Sequence, residues 1–201
     1  MTADTVVLAT RNQGKLRELA RILGDQIRLS GLDEFPGAPD VPETGSTFEE
    51  NALLKARAVA AHAGLPAVAD DSGLCVDALN GMPGVLSARW AGGHGDDKAN
   101  LDLVLAQVAE VPDARLGARF VCAAALVVPD GAPREWVVTG EVVGRLLREP
   151  RGSGGFGYDP IFVPDGFALT TAEMTPEAKD AISHRGRAFR ALAPFITGGL
   201  P

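Results

Sequence analysis

The chain has 201 residues, 46% hydrophobic and 22% charged, the profile of one soluble globular domain large enough to bury an ordinary core. Its net charge of −7 argues against broad electrostatic binding to DNA or to an anionic membrane, while a small anion in a locally basic pocket stays open. The opening MTADTVVLAT lacks a basic stretch followed by a long apolar run, so no signal peptide is read, and the most apolar segment, 120–128, is too short to span a bilayer.

Residues 5–9 predict a short strand. Residues 10–15 are turn-like, and from Lys15 the spacing of Leu16, Leu19, Ala20 and Leu23 predicts a helix, with Gly24 as its stop signal. The N-terminus of such a helix offers free backbone N–H groups and a positive dipole end, which suit phosphate. The Pro- and Gly-rich piece 31–46 reads as loop. Thr47 and Glu50 fit a capping box that opens a second helix running to Ala63 and ending at Gly64. Residues 65–69 predict a strand closing on Asp70-Asp71-Ser72-Gly73, and 97–108 predict a helix. Residues 119–128 and 134–143 read as an antiparallel hairpin around the turn Pro129-Asp130-Gly131. A short strand at 161–163 and a helix over 185–195, N-capped by Ser183, complete the chain. Crossover-linked strands, a hairpin and helices together predict an α/β fold with a mixed sheet.

Asp70 and Asp71 are two adjacent carboxylates at a predicted strand end, a place to hold a hard cation or activate water; an Asx turn would use one of them equally well. Glu43 reads as a solvated loop charge or a third carboxylate, Lys15 as an exposed first-turn lysine or an ammonium for a phosphate, and Lys55 as a solvated helix residue or one facing a pocket. His184 and Arg185 place cations at a helix start, against the dipole, a local conflict that hints at a purpose. His62 and His94 have no assigned role. Cys75 and Cys122 lie in apolar settings outside any Cys-x-x-Cys pair, which predicts reduced, buried thiols and no zinc site. No Walker A loop, H-E-x-x-H or G-x-S-x-G occurs.

Gly152-Ser153-Gly154-Gly155-Phe156-Gly157 matches the dinucleotide fingerprint, but its context fails. No buried strand precedes it, and Pro160 pushes Asp159 towards extended geometry instead of opening a helix. What remains is a pliant backbone presenting Phe156 and Tyr158 beside Asp159; the rings would either stack on a base or pack into the core.

Six blocks then occur in order: Thr10-x-Asn12-x-x-Lys15, Thr47-Phe48-x-Glu50-Asn51-Ala52-x-x-Lys55-Ala56, Ala69-Asp70-Asp71-Ser72-Gly73-Leu74, Gly84-Val85-x-Ser87-Ala88-Arg89, Gly155-Phe156-Gly157-Tyr158-Asp159-Pro160 and Ser183-His184-Arg185. Across nearly the whole chain they resemble the non-canonical purine nucleoside triphosphate pyrophosphatases, which act on inosine and xanthosine triphosphates. The resemblance implies one domain over 1–201, a long mixed sheet flanked by helices, and two lobes with a central substrate cleft. It implies a cytoplasmic homodimer that needs Mg²⁺ and splits the bond between the α- and β-phosphorus atoms. It places the triphosphate on Thr10, Arg11, Asn12, Gln13, Gly14 and Lys15, with Lys55 and Ser72 also at the substrate. Asp71 would be general base and metal ligand, with Glu43 assisting the metal. Phe156, Gly157, Tyr158 and Asp159 would line the base pocket, completed by Lys179, His184 and Arg185. No nucleic acid or membrane partner is implied. Two departures stand out: Trp90 where the family often has Tyr, and Glu177-Ala178-Lys179-Asp180 where it often has Glu-Glu-Lys-Asn.

Overall fold

In the computed structural model, residues 5–23, 27–130 and 134–197 are described; Gly24 and Gly131, the expected helix stop and turn residue, lie outside them. Among the described residues the strands and α-helices follow in chain order: β1 (Thr5–Leu8), α1 (Gln13–Leu23), β2 (Arg28–Ser30), α2 (Phe48–Ala63), β3 (Ala67–Val76), α3 (Asp97–Gln107), β4 (Gly117–Val128), β5 (Arg134–Leu146), β6 (Phe162–Pro164), α4 (Pro176–Ile182) and α5 (His184–Thr197). The strands form one sheet in the order β2-β1-β3-β4-β5-β6. β1 runs parallel to β2, with Val6 opposite Leu29, and parallel to β3, with Leu8 opposite Val68. β5 and β6 are antiparallel, with Arg145 opposite Val163, so the sheet is mixed and the fold α/β, as expected. No described helix is long and apolar enough to cross a membrane.

Side-chain caps set several boundaries. Asn12 Oδ1 accepts from the N–H groups of Gly14 (2.8 Å) and Lys15 (3.1 Å), so α1 begins at Gln13, three residues before its apolar periodicity starts at Leu16. Thr47 Oγ1 accepts from Glu50 N–H at α2, and Gly64 closes that helix in the left-handed region at φ 64°. The return half of the capping box extends one residue further back, where Glu50 Oε2 accepts from Ser46 N–H at 2.6 Å. α4 has only seven residues, too few to show a period. Its signal is Thr175 as N-cap, accepting from Ala178 N–H, followed by Pro176 at the first helical position. Ser183 is extended between α4 and α5, and α5 starts at His184.

The largest correction concerns β3. It does not close on the acidic pair but runs ten residues through it, buried at every position except Ser72. The carboxylates therefore lie mid-strand, where no Asx turn forms.

The chain forms two compact units: 1–71 with 122–140 and 185–201, and 72–121 with 141–184. In the first, Val6 and Leu8 of β1, Leu19 and Leu23 of α1, Val68, Leu126, and Phe189 and Leu192 of α5 build the core. In the second, Leu74, Val76, Leu101, Val104, Phe120, Val142, Leu146, Ile161 and Phe162 do so.

Candidate active site

In the first unit, α2 carries Asn51 and Lys55 one turn apart, on one helix face. Both reach Asp71 of β3. Asn51 Nδ2 donates to Asp71 Oδ2 (3.1 Å), and Lys55 Nζ lies 3.4 Å from Asp71 Oδ1. Lys55 also donates to Glu43 Oε1 at 2.8 Å, so one ammonium ties two carboxylates from separate parts of the chain. The loop holding Glu43 is fixed from the same helix: Asn51 Oδ1 accepts Gly45 N–H at 2.7 Å. A Cβ on Gly45 would sit 2.6 Å from Glu50 Cβ and 2.8 Å from Asn51 Oδ1, so only glycine allows this approach.

The charges here are set by burial and by one another. Burial raises the Asp71 pKa above the usual carboxylate range, and the Glu43 charge adds to it against the pull of Lys55 and Lys15. Burial works against the Lys55 ammonium, but Asp71, Asp70 and Glu43 outweigh it and raise its pKa. Asp70, on the same strand, has another set of partners. Lys15 Nζ lies 2.9 Å from its Oδ2 and Arg185 Nε donates to the same oxygen at 3.2 Å. Arg185 in turn donates from Nη1 to Glu18 Oε2. Burial opposes the Asp70 charge, yet Lys15, Arg185 and Lys55 hold its pKa well below the usual range.

The 10–15 segment offers less free backbone than expected. Gly14 and Lys15 N–H already donate to Asn12 Oδ1, and Asn12 N–H donates to Thr10 Oγ1. Arg11 Nη2 donates to Ala38 O at 2.9 Å. The side chain of Gln13 is not among those described. What the segment adds is the Lys15 ammonium, which is paired with Asp70.

In the second unit, the Gly-rich loop separates the two aromatic residues. Tyr158 is 4% exposed, packs in the core and donates its hydroxyl to Ser87 O at 2.8 Å; Phe156 is 38% exposed. Asp159 is buried and accepts from Lys179 Nζ (2.6 Å), Phe156 N–H (2.8 Å) and Thr171 Oγ1 (2.7 Å). Lys179 Nζ lies 5.0 Å from the centre of the Phe156 ring, within cation–π reach. Gly155 is at φ 72°, and a Cβ there would meet Asp159 Oδ2 at 2.1 Å. Gly157, at φ 60°, donates its N–H to Asp97 Oδ2 at 2.9 Å. His184 lies flat against Phe120, with ring centres 4.9 Å apart. Ser72 belongs to this unit, and Arg185 to the first. Both cysteines are free and buried, and burial raises their pKa values, which leaves no activated thiol.

A family model, the Ham1 family, matches residues 6–195. The chain belongs to the Ham1 family. It is 61% identical over 194 residues to a Streptomyces coelicolor protein named dITP/XTP pyrophosphatase, covering 95% of this chain and 96% of that one. A crystal structure from Mycobacterium abscessus, described as a nucleoside-triphosphatase and dITP/XTP pyrophosphatase, superposes with TM-score 0.77 at 58% identity, covering 94% of this chain and 99% of that one. The Staphylococcus aureus Ham1 protein superposes with TM-score 0.86 at 40% identity, covering 97% and 99%.

Reading residues one at a time missed three positions in this Ham1 chain: Asn51, Glu18 and Asp97. Asn51 lay inside a quoted block without a role. Its signal was a polar side chain at the helix spacing of buried Phe48, Ala52 and Ala56. Glu18 likewise sits one residue before buried Leu19. Asp97 looked like an ordinary acid in the first turn of a helix.

Proposed function

We propose that the chain hydrolyses non-canonical purine nucleoside triphosphates (ITP, dITP and XTP) to the monophosphate and pyrophosphate, with Mg²⁺, as one domain over 1–201 working as a cytoplasmic homodimer. One observation carries the reading: Glu43, Lys55, Asn51 and Asp71 converge, with the Asp71 pKa raised, in a chain whose relatives bear the dITP/XTP pyrophosphatase name.

The residues present fit Mg²⁺. Two carboxylates already meet on one cationic centre, the Lys55 ammonium. Among the described residues no group of three or more His, Cys, Asp or Glu side chains forms a closed cage. Mg²⁺ asks for no such cage, since it takes one or two protein carboxylates and completes its shell with water and substrate phosphates. Glu43 and Asp71 would hold it. Bound there, it would offset triphosphate charge and favour departure of pyrophosphate.

The chain's own groups supply the rest. Lys15 and Lys55 place positive charge where the triphosphate carries its negative charge, and more of it is felt as charge moves onto the leaving group. Asp71 takes the proton of the attacking water. No covalent intermediate is required. At the base end, Phe156 provides a stacking face. An ammonium has three N–H donors, so Lys179 can donate to a purine C6 carbonyl while it holds Asp159. Adenine presents an amino donor at that position, leaving the ammonium facing a donor, which is the mismatch that gives strong rejection. Arg185, expected to complete the base pocket, also holds Asp70 through its Nε.

Product analysis tests this. With Mg²⁺, ITP and XTP should give monophosphate and pyrophosphate, ATP and GTP little of either, and Asp71→Asn none. Diphosphate with orthophosphate would overturn the bond assignment. Binding without turnover would make the chain a nucleotide sensor, and preference for another modified nucleotide would move the substrate class.

A further inference from the structure

Asp97 opens α3, sixty positions away in sequence from the loop it touches. It stands on a rigid post. Asp96 caps the helix by accepting Ala99 N–H, Asn100 Oδ1 accepts Ala91 N–H at 2.7 Å, and Leu101 and Val104 anchor the helix in the core of the second unit. From this post the Asp97 carboxylate takes Gly157 N–H, while Asp159 takes Phe156 N–H. The two amides lie on either side of the Phe156 α-carbon. Fixing both sets the backbone torsions of Phe156 and so aims its ring. The carbonyl of the Phe156–Gly157 peptide, Phe156 O, accepts Asp159 N–H at 3.3 Å, so the Asp97 bond completes the hold on it from the N–H side, at a glycine whose φ of 60° residues with side chains rarely adopt.

We propose that Asp97 is a specificity-determining positioning residue, whose carboxylate on Gly157 N–H holds Phe156 as the stacking face for the purine. The inference rests on the pyrophosphatase reading above and adds a residue to its base-recognition end. Asp97 does not touch the reacting phosphates. Its effect falls on recognition of the base and leaves bond cleavage alone.

The test compares wild type, Asp97→Ala and Asp97→Asn in steady-state hydrolysis of ITP, with inhibition by inorganic tripolyphosphate, which has no base, measured in parallel. Asp97→Ala removes a charge-assisted hydrogen bond, so KM for ITP should rise about tenfold or more while kcat stays within about twofold. Asp97→Asn keeps an acceptor for Gly157 N–H, so KM should return to within about threefold of wild type. The tripolyphosphate inhibition constant should be the same for all three. Unchanged KM in Asp97→Ala, a fall in kcat alone, or a parallel loss of tripolyphosphate inhibition would each overturn the assignment. Failure of Asp97→Asn to rescue would also overturn it, since the anchor would then not be the hydrogen bond. Wild type that releases no pyrophosphate from ITP or XTP would instead sink the substrate reading itself.

Discussion

Asp70 and Asp71 are bonded neighbours on β3, yet their acidities move in opposite directions: that of Asp70 is held low by Lys15 and Arg185, that of Asp71 is raised by burial. Successive residues of a strand project to opposite faces, so each meets its own partners. Arg185 and Lys15 serve Asp70, and Asn51 and Lys55 serve Asp71. Two titratable groups driven apart in this way mark a division of labour. On the proposed reading Asp70 is a fixed structural charge and Asp71 the base.

Asp71→Asn should therefore remove chemistry and spare the fold. The amide keeps the volume but cannot take a proton from water. We expect kcat to fall by about 10²–10⁴-fold or more, the usual worth of a positioned general base, with the thermal midpoint little changed. Pyrophosphate release and a melting curve on the same preparation check it. A variant that keeps most of its kcat would remove Asp71 from the base role.

Asp70→Asn should do the reverse. It leaves the Arg185 guanidinium, 1% exposed, without one of its two carboxylates, and breaking a buried ion pair from one side costs about 3–5 kcal/mol. The sign with pH follows from the lowered pKa. The stability Asp70 supplies is present above its unfolded pKa of about 4 and is lost as pH falls through its lower folded value. Wild type should lose its advantage over Asp70→Asn on acidification below about pH 4. Urea titrations of both proteins across acidic pH would show it; parallel curves would mean that Asp70 is not charged in the fold.

Much of this was legible in the sequence, for identifiable reasons. α2 announced itself through Thr47, Glu50 and Gly64 because caps are local chemistry. The hairpin strands β4 and β5 carried long runs of strand formers and are neighbours in the sheet. The acidic pair was seen, but β3 was cut short at it, because carboxylates break a hydrophobic pattern unless distant lysines and arginines neutralise them. Those partners lie far along the chain, Arg185 being 115 residues from Asp70, and no local window contains them. The same distance hid the clamp of Asp97 on Gly157. The separation of Phe156 from Tyr158 was equally hidden, since both are aromatic residues in one glycine-rich loop and the distant Ser87 carbonyl and core neighbours receive Tyr158.

Lys55→Met should shift the pH dependence of the reaction upward. Lys55 lowers the Asp71 pKa against burial and Glu43, so its removal raises that pKa further. The base works only when deprotonated. The acid limb of kcat/KM must then move to higher pH, and the variant should recover part of its loss in alkaline buffer. A pH–rate profile from acid to mildly alkaline pH, with wild type beside it, reads this directly. An acid limb that stays in place would show that Lys55 does not face the base during turnover.

Asn51 separates two effects that Lys55 combines. Its Nδ2 serves Asp71, and its Oδ1 serves the Gly45 N–H of the Glu43 loop. Asn51→Leu keeps the bulk and loses both, leaving the half-buried Gly45 amide without its acceptor, which costs about 1 kcal/mol of stability. The loop that carries Glu43 loosens, so the Mg²⁺ concentration for half-maximal rate should rise about tenfold, and Mg²⁺ should protect the variant less against thermal unfolding. Asn51→Asp keeps an acceptor for Gly45 but puts a second negative charge against Asp71. Its Mg²⁺ requirement should stay nearer to wild type while its acid limb moves up, as like charges raise a carboxylate pKa. Titrating Mg²⁺ and pH for the two variants side by side gives a crossed pattern if the amide works at both ends. Equal Mg²⁺ requirements in Asn51→Leu and wild type would instead mean that the Glu43 loop holds its place without Asn51, through the Lys55 bond to Glu43 and the Glu50 bond to Ser46.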